Sequence, residues 1–158
     1  MLTSKKILIV EDCGELLNLL GEALALLDWE TILAEGGREA MKKLELEYDL
    51  PSVILLNMRT SVISGVKLVV TLKAHPVYNK IPILAAGGQS RGLTREHCLA
   101  LGCDDFIPRP LDFPDLVTRL TKILAKERLR SIRATGPLNL ESNRRERRSR
   151  GAGHWGVA

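Results

Sequence analysis

Aromatic residues are scarce in this 158-residue chain: two Phe, two Trp and two Tyr make up 4% of it. No apolar run approaches the roughly 18 residues that a membrane-spanning helix needs. The N-terminus passes from Lys5 and Lys6 directly into a short strand-like run, so neither a spanning segment nor an export signal is predicted. Cysteine is limited to Cys13, Cys98 and Cys103, an odd number without metal-ligand spacing. That usage suits a reducing cytoplasm and predicts small buried hydrophobes rather than disulfides. His75, His97 and His154 stand far apart, with no Cys or Asp partner at metal spacing, and read as surface or helix-end residues. Gly36-Gly37 and Gly87-Gly88 lack the spacing of a P-loop or dinucleotide fingerprint and read as turns.

A hydrophobic content of 45% is enough for one globular core. The net charge of +4 is unevenly spread. Residues 1–126 hold 15 Lys/Arg against 16 Asp/Glu, whereas residues 127–158 hold 8 Arg against 3 Glu, so the basicity belongs to the C-terminal end.

Short apolar runs alternate with helical patterns. Ile7 to Val10 precede Leu16, Leu17, Leu20, Ala23, Leu24 and Leu27 at helical spacing. Thr31 to Ala34 precede a helix over about 37–47, and Val53 to Leu56 one over about 65–74. Ile81 to Ala86 precede a short helix from Thr94 to Leu101, and Asp105 to Ile107 a last one from Phe113 to Lys126, with helix formers continuing to about Arg133. Five β-α units follow. Runs that are apolar on both alternating faces are expected of parallel strands covered by helices on both sides. Right-handed crossovers then favour an open, doubly wound sheet. In such sheets the functional crevice lies beyond the carboxyl ends of the strands, where Glu11, Asp12, Asn57, Gly87 and Arg109 follow directly. Beyond residue 133 the pattern stops. Gly136-Pro137, the Arg-rich run and Gly151-Ala152-Gly153 offer little to bury, and residues 134–158 read as a disordered tail attached to a domain of residues 1–133.

Three segments together carry a family likeness: Ile7-Leu8-Ile9-Val10-Glu11-Asp12; Val53-Ile54-Leu55-Leu56-Asn57 with Gly65 eight residues on; and Gly102-Cys103-Asp104-Asp105-Phe106-Ile107-Pro108-Arg109-Pro110. Over residues 5 to about 126 the chain resembles a response-regulator receiver domain. The resemblance implies a five-stranded, flavodoxin-like (CheY-like) (βα)₅ fold. It also implies an acidic pair that binds Mg²⁺ with an Asp acting as phosphoryl acceptor, since Mg²⁺ takes hard oxygen ligands and a carboxylate is the nucleophile. A Lys that pairs with the phosphoryl group, a hydroxyl residue that moves to bond it and an aromatic residue that follows that movement complete the implied set.

Matched residue by residue, Glu11 and Asp12 keep the acidic pair, Phe106 keeps the aromatic position and Pro110 is in place. Asn57 stands at the acceptor, where a neutral amide cannot form the acyl phosphate. Gly87 stands where the hydroxyl belongs and Arg109 where the Lys belongs, and these two cations are not interchangeable at a tight site. The loop from Met58 to Gly65 also lacks the Met-Pro and Asp that shape it in the family. Three linked departures predict a degenerate pocket rather than one lost residue. It has no catalytic role and no cofactor, with at most weak Mg²⁺ binding at Glu11 and Asp12. The Arg109 guanidinium either bonds one carboxylate, replacing metal and phosphate as the lock on the crevice, or points outward beside a solvated acidic rim. Cys13 beside the acids reads as an unreactive thiol rather than a redox sensor, because neighbouring carboxylates raise a thiol pKa.

The expectation is therefore a cytoplasmic, phosphorylation-independent, non-enzymatic interaction module of two-component-type signalling or gene regulation. Its implied partner surface is the fourth helix, fifth strand and fifth helix, meeting a histidine kinase, a regulator, an output protein or a second copy. The chain also stops early for a second folded output domain. Two rivals stand beside this reading. Arg144, Arg145, Arg147, Arg148 and Arg150 offer salt-dependent nucleic-acid contacts without a stacking platform, Trp155 being the only aromatic residue near them. Ser61 or Ser64 would serve as an unusual phosphoacceptor.

Overall fold

The strands are short and apolar because each is covered on both sides. In a computed structural model, which describes residues 5–59, 64–88 and 93–135, β1 (Lys6–Val10), β3 (Val53–Asn57) and β4 (Ile83–Gly87) are buried along their whole length. The edge strands β2 (Glu30–Ala34) and β5 (Asp105–Pro108) are buried only in part. All neighbours pair in parallel in the order β2-β1-β3-β4-β5. This is the doubly wound order, whose switch point falls between β1 and β3.

Side chains alternate between two cores, as strand geometry requires. Ile7 and Ile9 of β1, with Val53 and Leu55 of β3, pack on α1 (Gly14–Ala25) and α5 (Phe113–Ala134) through Leu17, Leu20, Leu24, Leu116, Leu120 and Ile123. Leu8, Val10, Ile54 and Leu56 face the other way. They meet α2 (Gly37–Leu46), α3 (Gly65–Ala74) and α4 (Arg95–Leu101) through Leu44, Leu68, Leu72 and Cys98. Burying one such Leu or Ile side chain contributes roughly 1.5–3 kcal/mol.

Two glycines are dictated by geometry. A Cβ on Gly65 would fall 2.4 Å from Met58 Cα, so the start of α3 lies against the backbone that leaves β3. Gly102 caps α4 in the left-handed region at φ 111°, and the Cys103 N–H reaches back to the Cys98 carbonyl to close a Schellman motif.

The element limits differ from expectation in explicable ways. Strand β4 begins at Ile83 rather than Ile81, since Pro82 has no N–H to give the ladder; its carbonyl accepts from Ile54 instead. Leu27 lies outside α1, because the chain leaves that helix through Asp28 at φ 64°. Helix α5 continues to Ala134. A short 3-10 turn at Tyr78–Lys80 has no counterpart in the sequence reading. Cys98 and Cys103 are buried free thiols, and burial pushes the Cys103 thiol up to about 12, whereas Cys13 is exposed. His75 ends α3 and stacks on Tyr78 with ring centroids 4.0 Å apart.

By compactness the chain divides into Met1–Leu124, which holds the sheet, and Ala125–Ala158, of which the described part is the last turns of α5. No helix among the described residues is long and apolar enough to cross a membrane.

Candidate functional site

Register brings the strand ends together. Val10 pairs with Leu56, Asn57 with Ala86 and Gly87 with Pro108, so the residues that follow or close β1, β3, β4 and β5 share one edge of the sheet. Asn57 and Gly87 are the last residues of their strands rather than the first residues beyond them.

Glu11 is the centre of the site. It is 3% exposed, and three donors converge on its carboxylate. The Cys13 N–H reaches Oε1 at 3.2 Å, Asn57 Nδ2 reaches the same oxygen at 3.0 Å, and Arg109 Nη2 reaches Oε2 at 2.6 Å. Burial pushes the Glu11 carboxyl above its ordinary range, and its neighbour Asp12 adds to that. The Cys13 N–H, Arg109 and Asn57 pull the other way.

Asn57, 2% exposed, is fully committed. Its Nδ2 also donates to Asp12 Oδ1 at 3.1 Å, and its Oδ1 accepts from the Arg59 N–H at 3.0 Å. Reversing the amide would set an oxygen against two carboxylates and an NH₂ against a backbone N–H, so the hydrogen bonds fix its orientation. Asp12 itself is exposed. The Arg109 N–H donates to the Gly87 carbonyl at 3.0 Å, tying the ends of β4 and β5 beneath the ion pair. Arg109 thus points into the crevice and holds Glu11, rather than outward beside a solvated rim.

Gly87 and Phe106 form the adjoining floor. A Cβ on Gly87 would lie 3.1 Å from Phe106 Cε2 and 3.5 Å from Cζ, so the Phe106 ring occupies the space that a side chain here would need. Phe106 is 8% exposed and belongs to the core on the α2, α3 and α4 face.

The donor set does not fit Mg²⁺. A hard octahedral cation needs converging oxygens. Here an NH₂ group points at both carboxylates, and Arg109 already occupies the second oxygen of Glu11. Among the described residues no group of three or more His, Cys, Asp or Glu stands together to hold a metal.

Some participants were invisible in the sequence. The backbone N–H groups of Cys13 and Arg59 act whatever side chain they carry, so no residue type announces them. Nearby, Asp105 accepts from Arg119 at 3.0 Å and from Arg95 at 2.8 Å, while Arg119 Nε also reaches Asp115 at 3.1 Å. The spacing of Asp115 and Arg119, four apart on one helix, was the readable part of that cluster. Ser64 is the N-cap of α3 and accepts from the Lys67 N–H. Ser61 and the tail arginines Arg144, Arg145, Arg147, Arg148 and Arg150 lie outside the described residues.

A family model described as the response regulator receiver domain matches residues 7–121. The chain belongs to the response-regulator receiver family. This receiver is 33% identical over 121 residues to the transcriptional regulatory protein CpxR of Escherichia coli strain K12, a match covering 77% of the chain and 50% of CpxR. It is 30% identical over 150 residues to the phosphate regulon transcriptional regulatory protein PhoB of Rhizobium meliloti, covering 92% of the chain and 65% of PhoB. The receiver therefore spans about half to two thirds of the length of these relatives. Among solved structures, the signal receiver domain of a histidine kinase from Syntrophus aciditrophicus superposes with a TM-score of 0.70 at 27% identity, covering 78% of this chain and 92% of that one.

Proposed function

We propose that this receiver works without phosphoryl transfer, as a protein-interaction module of two-component signalling whose pocket is held in one state by its own side chains. One observation carries this reading: Asn57 donates to both Glu11 and Asp12 while Arg109 holds the far side of Glu11. A receiver that accepts a phosphoryl group needs a carboxylate nucleophile, a cation and room for three more oxygens. In this pocket an amide, a guanidinium and a filled set of hydrogen bonds stand in their places. Gly87 supplies no hydroxyl, and Phe106 already lies over it, so the ring needs no signal to turn inward.

The partner surface in this reading is the face formed by α4, β5 and α5, directly behind Phe106. Its exposed charges are Arg95, Asp105, Asp115 and Arg119, and a kinase, an output protein or a second copy meets the receiver there. Regulation of transcription, as in the names of CpxR and PhoB, is the output this reading assigns.

Intact-mass measurement after incubation with acetyl phosphate and Mg²⁺ tests the proposal. The mass is expected to stay unchanged. A species heavier by about 80 Da, one added phosphoryl group, would overturn it and point to another acceptor such as Ser64.

A further inference from the structure

The last turns of α5 carry a surface that the pocket does not explain. Between Ala125 and Ala134 the helix is exposed along nearly its whole length. Two large apolar side chains face outward there, Leu129 at 56% and Ile132 at 59% exposure. With Ala125 they stand at positions i, i+4 and i+7, one seam along the helix rather than scattered residues. At 3.6 residues per turn the seam is about 60° wide, and the cations flank it on both sides, Arg128 on one edge and Arg133 with Lys126 on the other. Glu127 lies on the opposite face, where Arg130 pairs with it at 2.9 Å.

From this placement we infer that residues 125–134 are a docking helix for a partner protein whose helix-lined apolar groove is rimmed by carboxylates. The seam supplies the anchors and the two cationic edges choose the rim. A second copy of this chain is a poor occupant, since pairing the seams would bring Arg128, Arg133 and Lys126 against their own duplicates. A bilayer surface favours an apolar sector of about 100° or more, wider than this seam. A nucleic acid would answer the cations but leave Leu129 and Ile132 in water.

The test uses the full chain and a labelled synthetic helical peptide with Leu at the a and d positions of each heptad and Glu at e and g, read by fluorescence anisotropy. The matched probe carries Lys at e and g. We expect the Glu peptide to bind at least about tenfold more tightly than the Lys peptide, and L129S/I132S to lose about tenfold or more. Binding should also weaken between about 50 and about 200 mM salt. Far-UV circular dichroism of L129S/I132S checks that α5 persists. R128E/R133E is a second variant, expected to reverse the preference between the two peptides while leaving the fold intact. Replacing Arg144, Arg145, Arg147, Arg148 and Arg150 with Ser should leave binding of the Glu peptide within about twofold. Four outcomes overturn the proposal: no binding of the Glu peptide, no loss in L129S/I132S, loss confined to the tail variant, or tighter Leu129-dependent binding to phosphatidylglycerol vesicles or duplex DNA than to the peptide.

Discussion

Removing Arg109 should cost this receiver a measurable part of its stability, and the structure sets the size of the effect. The Arg109 to Glu11 contact is 2.6 Å, with the Glu11 side chain 4% exposed and the Arg109 side chain 23% exposed. At an effective dielectric of about 20 the gross attraction at that distance is about 6 kcal/mol. Most of this is offset by the desolvation of Glu11, so the gross figure is not the stability at stake. What counts is the carboxylate that Arg109→Ala leaves behind. Stripping one partner from a fully buried pair costs about 3–5 kcal/mol, and an exposed pair about 0–1 kcal/mol. Glu11 keeps two donors, the Cys13 N–H and Asn57 Nδ2, and water gains entry where the guanidinium stood. Arg109→Ala is therefore expected to lose about 2–3 kcal/mol.

Urea unfolding followed by circular dichroism measures it. With a slope near 2 kcal/mol per M, the midpoint should fall by about 1–1.5 M. Glu11→Gln in the same background removes the stranded charge, so the double variant should be more stable than the sum of the two single losses, with a coupling of about 1–2 kcal/mol. A loss below about 0.5 kcal/mol for Arg109→Ala, or strict additivity in the double variant, would refute the lock, because such values belong to a solvated surface pair.

Three further outcomes follow from the same geometry. Asn57→Asp replaces a shared donor with a third carboxylate, and should lose about 1–3 kcal/mol in chelator while regaining stability with millimolar Mg²⁺; thermal melts with and without the cation check this, and a Mg²⁺-independent stability would contradict it. Gly87→Thr places a Cβ about 3.1 Å from Phe106 Cε2, so the ring must move. With two phenylalanines in the chain, ¹³C-Phe spectra should show the Phe106 resonance shifting while that of Phe113 stays, at a stability loss of about 1–2 kcal/mol. For pH, burial raises Asp105 but the Phe106 N–H, Arg119 and Arg95 together hold it below its ordinary range, so its contribution is present above that range and lost as pH falls beneath it. Glu11 is held above its ordinary range, so its contribution is full at acid pH and is lost as pH rises through the carboxylate range to its raised folded value. Urea midpoints from about pH 3 to 7 should show Asp105→Asn softening the acid limb and Glu11→Gln removing a fall on the neutral side.

The fold was legible because its signals are repeated. Val53 to Leu56 is apolar on both faces, and only a strand covered on both sides uses such a run, as the split of Leu55 and Leu56 between two cores makes plain. The site was legible as a set of positions and not as an arrangement. Residue types at the strand ends pointed to Glu11, Asp12, Asn57, Gly87, Phe106 and Arg109, but the direction of Arg109 stayed open between Glu11 and water. That choice depends on the Arg109 N–H joining the Gly87 carbonyl and on a carboxylate 98 residues away, a contact no local pattern encodes. The start of β4 was misjudged because apolarity at Ile81 says strand while the missing N–H of Pro82 says otherwise.

Charge balance explains why the three departures belong together. In the pattern that the family resemblance implies, three carboxylates against one Lys leave a pocket at −2, which a divalent cation balances. Here Glu11 and Asp12 face Arg109 and a neutral Asn57, leaving −1. Glu11, the buried carboxylate, is the one that receives the guanidinium, while Asp12 is exposed to water and keeps the residual charge there. Changing the acceptor alone would have left a Lys, a mobile point charge, to serve a site with no phosphoryl group to neutralise. Arg fixes the same charge in a planar fork anchored beside the Gly87 carbonyl. Gly87 in turn leaves the space beside that carbonyl to Phe106, which a hydroxyl-bearing residue would contest. Each substitution removes a need that the previous one would have exposed, so reversing any single one should leave the pocket less stable than either the present set or the full family set.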